Sequence, residues 1–311
     1  MTTLDDWARS FAMNMDTSLA PGAAIQTAPV YVIQAPAEQT VPFVFCSPHS
    51  GTDYGDAFRR ASKLDYATLR KSEDSHVDVL FGDTPEHGAP LLCALFPRAY
   101  VDPNREPFEL DPAMFEDRLP DYVNTASPRV AAGLGTIAKV VCNGAEIYRR
   151  KLRFAEAVAR IDTCYRPYHA ALTQLVEDTK RRFGIAVVVD CHSMPSVGGP
   201  MDRDPGARRV EFVLGDAYGA ACHPALTLAA EAKLRSFGYA VHRNMPYAGG
   251  YTTRHYGSPA RQQHALQIEI NRALYMDEDS YARRPGFETV KAHLTALVGH
   301  LARLDLRELA R

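Results

Sequence analysis

Short apolar runs alternate with longer stretches in which apolar residues recur every three or four positions, and this alternation organises most of the 311-residue chain. In the first half, Pro29–Ile33, Val41–Cys46, Leu91–Phe96 and Thr136–Cys142 read as strands. Between them, Tyr66–Phe81 reads as a helix, with Leu69, Val77, Leu80 and Phe81 at helical spacing. From Phe154 to Phe183 the positions Phe154, Val158, Ile161, Tyr165, Leu172, Leu175 and Val176 step by threes and fours. That pattern predicts one long amphipathic helix, closed by Gly184. Ile185–Val189 is continuously apolar, as expected of a strand buried on both faces. Val210–Leu214, Tyr239–His242 and Ala265–Ile270 add strands, and Pro224–Phe237 and Phe287–Leu306 add helices.

Strands alternating with helices predict an α/β sandwich around one largely parallel sheet. Residues 1–25 read as an N-terminal arm that Pro21-Gly22 closes, and residues 26–311 as a single domain. One region breaks the pattern. Ala99–Pro128 is rich in Pro, Asp and Arg and has little periodicity, which predicts a long irregular excursion of the kind that carries function.

Composition narrows the function classes more than the fold. With 35 basic and 37 acidic residues the formal charge is −2, so the chain has no electrostatic footprint for nucleic acid or an anionic membrane. Met1–Asp16 lacks the basic start and apolar core of a signal peptide, and no run of about 18 apolar residues follows, so a cytoplasmic protein is expected. The six cysteines are dispersed without a C-x-x-C pair, and several sit in apolar runs, which predicts buried thiols rather than a disulfide scaffold.

Polar residues gather at the ends of predicted core strands, where open α/β sheets bind ligands. Cys46-Ser-Pro-His-Ser-Gly51 and Val189-Asp-Cys-His-Ser-Met-Pro195 each place a histidine, His49 or His192, just past a buried strand. Imidazole is a common zinc ligand, and a catalytic zinc takes three protein ligands. The acidic run Ser72-Glu-Asp-Ser-His-Val-Asp78 can supply the third: on a helix Asp74 and Asp78 share a face, while Glu73 and His76 lie on others. An ordinary solvated charged face would look the same. In Phe96-Pro-Arg-Ala-Tyr-Val-Asp-Pro-Asn-Arg105, an arginine fork beside an amide suits a substrate carboxylate. Glu269 alternates with Leu266, Ile268 and Ile270, so it points to the opposite face of its strand. There it is either a general base near an activated water or a surface glutamate on an edge strand. Cys191 beside His192 is a poor nucleophile–base pair, because adjacent residues on an extended segment face opposite ways. Gly133-Leu-Gly-Thr-Ile-Ala138 follows a proline-rich loop rather than a strand and lacks the context of a dinucleotide site.

Five motifs in order, Ser47-Pro-His-Ser-Gly51, Val101-Asp-Pro-Asn-Arg105, Asp190-Cys-His-Ser-Met194, Gly250-Tyr-Thr-Thr-Arg-His-Tyr-Gly257 and Leu266-Gln-Ile-Glu269, resemble those of the N-formylglutamate amidohydrolases. Tyr275-Met-Asp-Glu278 fits as well, and the resemblance spans about Val41 to Glu278. It implies a relative of the zinc carboxypeptidases: a three-layer α/β/α sandwich with a mixed, largely parallel central sheet. It further implies zinc-dependent hydrolysis of the formamide bond of N-formyl-L-glutamate, a small dicarboxylate, to glutamate and formate, a step of histidine degradation. His49 and His192 then bind Zn²⁺ or another divalent transition metal, Asn104 and Arg105 hold a carboxylate, and Glu269 activates water. The carboxypeptidase pattern has its acidic ligand three residues after the first histidine, where this chain has Thr52. Asp74 is taken as the acidic ligand instead, with Glu73 as the runner-up. Arg254 or His255 would stabilise the oxyanion, and Arg98 or Arg254 would meet a second carboxylate. A deacylase or carboxypeptidase for another N-acyl amino acid, or a non-catalytic binding relative, would keep the same fold.

Overall fold

A computed structural model of the chain describes residues 29–200 and 202–305. The expected arm 1–25 and Leu306, the last residue of the expected C-terminal helix, lie outside the described residues; that helix ends at Leu301.

Seven strands form one sheet: β1 (Tyr31–Gln34), β2 (Phe43–Ser47), β3 (Leu91–Ala94), β4 (Ala186–Met194), β5 (Phe212–Gly215), β6 (Val241–Arg243) and β7 (Gln263–Asn271). Their spatial order is β1-β3-β2-β4-β7-β5-β6. β3, β2, β4 and β7 run parallel in the centre, while β1 pairs antiparallel to β3 and β5 pairs antiparallel to β7. The sheet is therefore mixed and mostly parallel, as expected.

Helices cover both faces, because each central strand is apolar on both. Phe43, Phe45, Val187, Val189, Cys191, Leu266, Ile268 and Ile270 pack on one side against helices Val77–Leu80, Pro224–Ser236 and Phe287–Leu301. Val44, Cys46, Ala186, Val188 and Ala265 face the other side, against the helical run 154–183 and the excursion that begins at Ala99. That excursion is irregular as expected: from Ala99 to Ser127 it contains one 3₁₀ turn, Pro112–Met114, and isolated bridges. The long helix also forms as expected, from Phe154 to Phe183, with a π-helical segment at Ile161–Tyr165 and Gly184 in the left-handed conformation at its end.

Two elements differ from the sequence reading. Thr136–Cys142 is not a sheet strand. Its backbone bonds are taken by neighbouring loops, with Thr136 N–H donating to Glu109 O and Val141 N–H to Ala145 O; Ile137 joins the core on one face of the sheet, while Ala138 and Val141 fill a satellite cluster. The predicted helix Tyr66–Phe81 is broken into Tyr66–Leu69, a 3₁₀ turn Arg70–Ser72 and Val77–Leu80. At the break Glu73 is extended and His76 has φ 68°, while Asp74 N–H donates to His49 O at 3.0 Å. A tertiary bond to the first histidine loop thus replaces the helical one. Asp74 and Asp78 consequently do not share a helix face. No described helix is long and apolar enough to cross a membrane.

Candidate metal centre and cleft

The period of two along a strand builds the floor of the site. On β4 it puts Asp190 and His192 on one face, and on β7 it does the same for Gln267 and Glu269. Parallel pairing then sets Asp190 beside Gln267 and His192 beside Glu269. β2, in register with β4 through Cys46 and Asp190, ends at Ser47 and delivers His49 two residues later. The His49 loop lies close over the end of the β3 segment, since a Cβ on Gly51 would meet Phe96 O at 2.2 Å. Glu269 is not on an edge strand: β7 lies between β4 and β5, and the residue is 6% exposed.

His49, Asp74 and His192 converge and are all buried. Asp74 Oδ2 lies 3.3 Å from His49 Nδ1 and 3.1 Å from His192 Nδ1. Each ring turns its other nitrogen to a carboxylate of its own: His49 Nε2 meets Asp102 Oδ1 at 2.8 Å, and His192 Nε2 meets Asp190 Oδ1 at 2.8 Å. With Nε2 turned to these carboxylates, each Nδ1 shares a proton with Asp74 and could offer its lone pair to an ion at the common point once that proton is displaced. Two imidazole lone pairs and one carboxylate oxygen form a donor set that could hold a divalent transition metal. The runner-up Glu73 is turned away and bound by Arg70 Nη2 at 2.7 Å and Tyr54 Oη at 3.1 Å. His76 and Asp78 do not join the cluster either.

The charges around this cluster are mutually arranged. Burial raises the Asp74 carboxyl, but hydrogen bonds from His192 and His49 and the charge of Arg272 hold it well below the usual range. Arg272 donates to Asp74 Oδ1 at 2.9 Å, leaving Oδ2 for the histidines. Burial also raises Glu269, with Asp74 adding to the effect and His192 and Arg98 opposing it, to about 7. Gln267 Nε2 donates to Glu269 Oε1 at 2.8 Å, and Gln267 Oε1 accepts from Gly250 N–H at 2.8 Å, which fixes the carboxylate over the cleft.

A cleft of about 750 Å³ opens above this floor and is lined by His49, Asp74, His192 and Glu269 together with Arg98, Asn104, Arg105 and Arg129. Arg98 Nη2 donates to Asp102 Oδ2 at 2.8 Å. Asn104 is largely consumed within the protein: its Oδ1 accepts from Thr252 N–H at 2.8 Å, and its Nδ2 donates to Asp190 Oδ2 at 3.2 Å. A Cβ on Gly250 would lie 2.4 Å from the Asn104 amide, so this approach requires glycine. The segment 103–105 is fastened from the far side by the long helix, with Tyr165 Oη donating to Arg105 O and His169 Nε2 to Pro103 O, both at 2.8 Å.

Arg254 and His255, expected beside the reacting carbonyl, do not line the cleft. Their helix, Tyr251–Tyr256, turns Thr252, Thr253 and Tyr256 inward, so helical spacing leaves Arg254 and His255 exposed, with His255 stacked on Tyr251 at 4.8 Å. Asp102, expected from the resemblance as part of the Asp-x-Asn-Arg motif on the substrate carboxylate, instead pairs with His49 and Arg98, and the sequence marked no role for Asp190, Gln267 or Arg272. Asp190 and Gln267 were detectable, each standing two residues before an expected site residue on the same strand face. Asp102 stands in a quoted motif but its contact with His49 depends on folding across the chain, and nothing local marks Arg272.

The histidine partners carry a prediction. Asp190→Ala removes the carboxylate that His192 Nε2 faces and is expected to weaken metal binding about 10–100-fold, as measured by competition with a chromogenic chelator. Unchanged affinity would mean that Asp190 only fills space.

Residues 41–276 match the family model described as N-formylglutamate amidohydrolase. The chain is 31% identical over 244 residues to the N-formylglutamate deformylase of Pseudomonas aeruginosa, covering 77% of this chain and 84% of that protein. The Pseudomonas putida enzyme of the same name is 28% identical over 246 residues, covering 76% and 83%. Among solved structures, the N-formylglutamate amidohydrolase of Ralstonia eutropha JMP134 superposes with a TM-score of 0.80 at 39% identity, covering 88% of this chain and 96% of that one. The family match over most of the chain, together with these relatives, shows that the protein belongs to the N-formylglutamate amidohydrolase family.

Proposed function

We propose that the protein hydrolyses N-formyl-L-glutamate to L-glutamate and formate, using a divalent transition metal such as Zn²⁺ held by His49, Asp74 and His192. The observation that carries the metal reading is the pairing of each Nε2 with its own carboxylate while both Nδ1 atoms face Asp74 Oδ2. Bound there, the ion would polarise the formyl carbonyl and lower the pKa of water toward ~7.

The chain's own groups supply the rest. Glu269 Oε1 is held by Gln267, so Oε2 is the oxygen that takes the water proton and later delivers it to the departing amine nitrogen. Its high proton affinity suits both halves of that task near neutrality. Arg98 lies within electrostatic range of Asp74 and Glu269, and its charge stabilises the oxyanion that forms from the formyl oxygen. Arg105 is 8% exposed and lines the cleft; with Nε and Nη1 bonded to backbone carbonyls, its Nη2 donates to the α-carboxylate. Asn104 assists by holding Asp190, and through it His192, in place.

The test is formate release across N-formyl and N-acetyl amino acids. N-formyl-L-glutamate is expected to turn over fastest, with kcat/KM falling tenfold per pH unit on the acid side of a midpoint at about 7 or below, because only the ionised Glu269 accepts a proton. Faster release of acetate from N-acetyl substrates would instead make the protein a deacylase of another class.

A further inference from the structure

Four arginines line the cleft, and three of them have partners within the protein. Arg98 is paired with Asp102, and Arg272 with Asp74. Arg105 spends Nε on Leu134 O at 2.9 Å and Nη1 on Asn104 O at 2.7 Å, and lies 3.9 Å from Asp102. Arg129 makes no ion pair or side-chain hydrogen bond with a described residue. The acid on the outer wall, Asp202, is occupied: Arg209 Nη2 binds it at 2.7 Å, and Tyr247 Oη donates to it at 3.3 Å. The outer cleft therefore carries a cation without a counter-charge.

The backbone of Arg129 is held in place, and the side chain is exposed. Arg129 sits on the short helix Pro128–Ala131, capped by Ser127 Oγ accepting from Val130 N–H at 3.0 Å. Leu134 N–H donates to Arg129 O at 2.8 Å, and Leu134 O in turn accepts from Arg105. One turn, from Arg129 to Leu134, thus couples the two arginines. Burial lowers the proton affinity of Arg105 first, and the neighbouring charges of Arg129 and Arg98 lower it further against the pull of Asp102. The neighbouring acids are already engaged, Asp102 by Arg98 and His49, Glu109 by Ser127 and Asp202 by Arg209, so two guanidinium groups lining one cleft are stabilised by an anionic ligand.

We infer that Arg129 is the specificity-determining residue for the substrate's second, side-chain carboxylate, so that the enzyme selects N-formyl amino acids with an acidic side chain. This rests on the formyl-amino-acid reading above. Arg105 takes the α-carboxylate and Arg129 the distal one. Of the two positions that the sequence suggested for this contact, Arg254 lies outside the cleft and Arg98 lines it but is paired with Asp102.

The experiment compares the wild-type enzyme, Arg129→Gln and Arg129→Lys on N-formyl-L-glutamate and N-formyl-L-glutamine, which differ only in side-chain charge. The wild type is expected to favour the glutamate substrate. Arg129→Gln should lower kcat/KM on it by about 10–100-fold, mainly through KM. The loss on the glutamine substrate should be at least about tenfold smaller, and Arg129→Lys should recover part of the preference. A wild-type enzyme that hydrolyses both substrates equally, or an Arg129→Gln variant that keeps the wild-type preference, overturns the inference and leaves the deformylase reading standing. No formate from either substrate with wild-type enzyme overturns both.

Discussion

Glu269→Gln is expected to lower kcat for formate release by about 10²–10⁴-fold while leaving the fold and the metal content unchanged. The substitution keeps the shape, and the carbonyl oxygen of the new amide can still accept from Gln267 Nε2. It also removes a buried ionisable group that burial already disfavours in its charged form. No stability is therefore lost, and none of the three metal-facing residues is touched. What disappears is the one carboxylate that lies in register with His192 on the neighbouring strand. Stopped-flow or coupled formate detection gives kcat, and elemental analysis of the same preparation gives the metal. A variant that holds its metal and keeps most of its turnover would remove Glu269 from the chemistry.

Asp74→Asn should have the second large effect, and a broader one. Asp74 is 1% exposed, and its two oxygens serve three groups: His49, His192 and Arg272. The neutral amide keeps the volume but cancels the only negative charge between two imidazoles and a guanidinium. Two readouts should move together. Metal stoichiometry should fall from about one per chain to near zero in dialysed protein, with activity following it. Stability should fall by roughly 3–5 kcal/mol in urea unfolding, because Arg272 remains buried without its counter-ion. Full metal retention would transfer the acidic ligand to another residue. Metal loss with unchanged stability would show that Arg272 finds water or another acceptor.

The strand register explains why so much of this site could be read from the chain. Glu269, His192 and His49 were legible because a period-two pattern or a strand end says which way a side chain points. Asp74 was found for the wrong structural reason. The acidic run was read as helical, but the backbone there leaves the helix to bond the His49 loop, and that departure brings the carboxylate inward. Arg254 and His255 failed because a six-residue helix could be phased either way by sequence alone. Thr136–Cys142 looked like a strand because its apolar residues are buried, yet they are buried in a folded excursion rather than in the sheet. Burial is what hydrophobicity reports; the identity of the hydrogen-bond partner is not. The long-range contacts of Asp102 and Arg272 are missing from local pattern for the same reason.

The grip of the long helix on the segment 103–105 has a consequence for how the site comes apart. An irregular stretch such as Ala99–Ser127 would ordinarily open first, in local fluctuations far smaller than global unfolding. Here the carbonyls on either side of Asn104 are tethered to Tyr165 and His169, one turn apart on a helix that packs directly on the central sheet. The segment that carries Asn104 is thereby tied to the core, and its backbone amides are expected to exchange with the opening of that helix rather than with that of the surrounding loop.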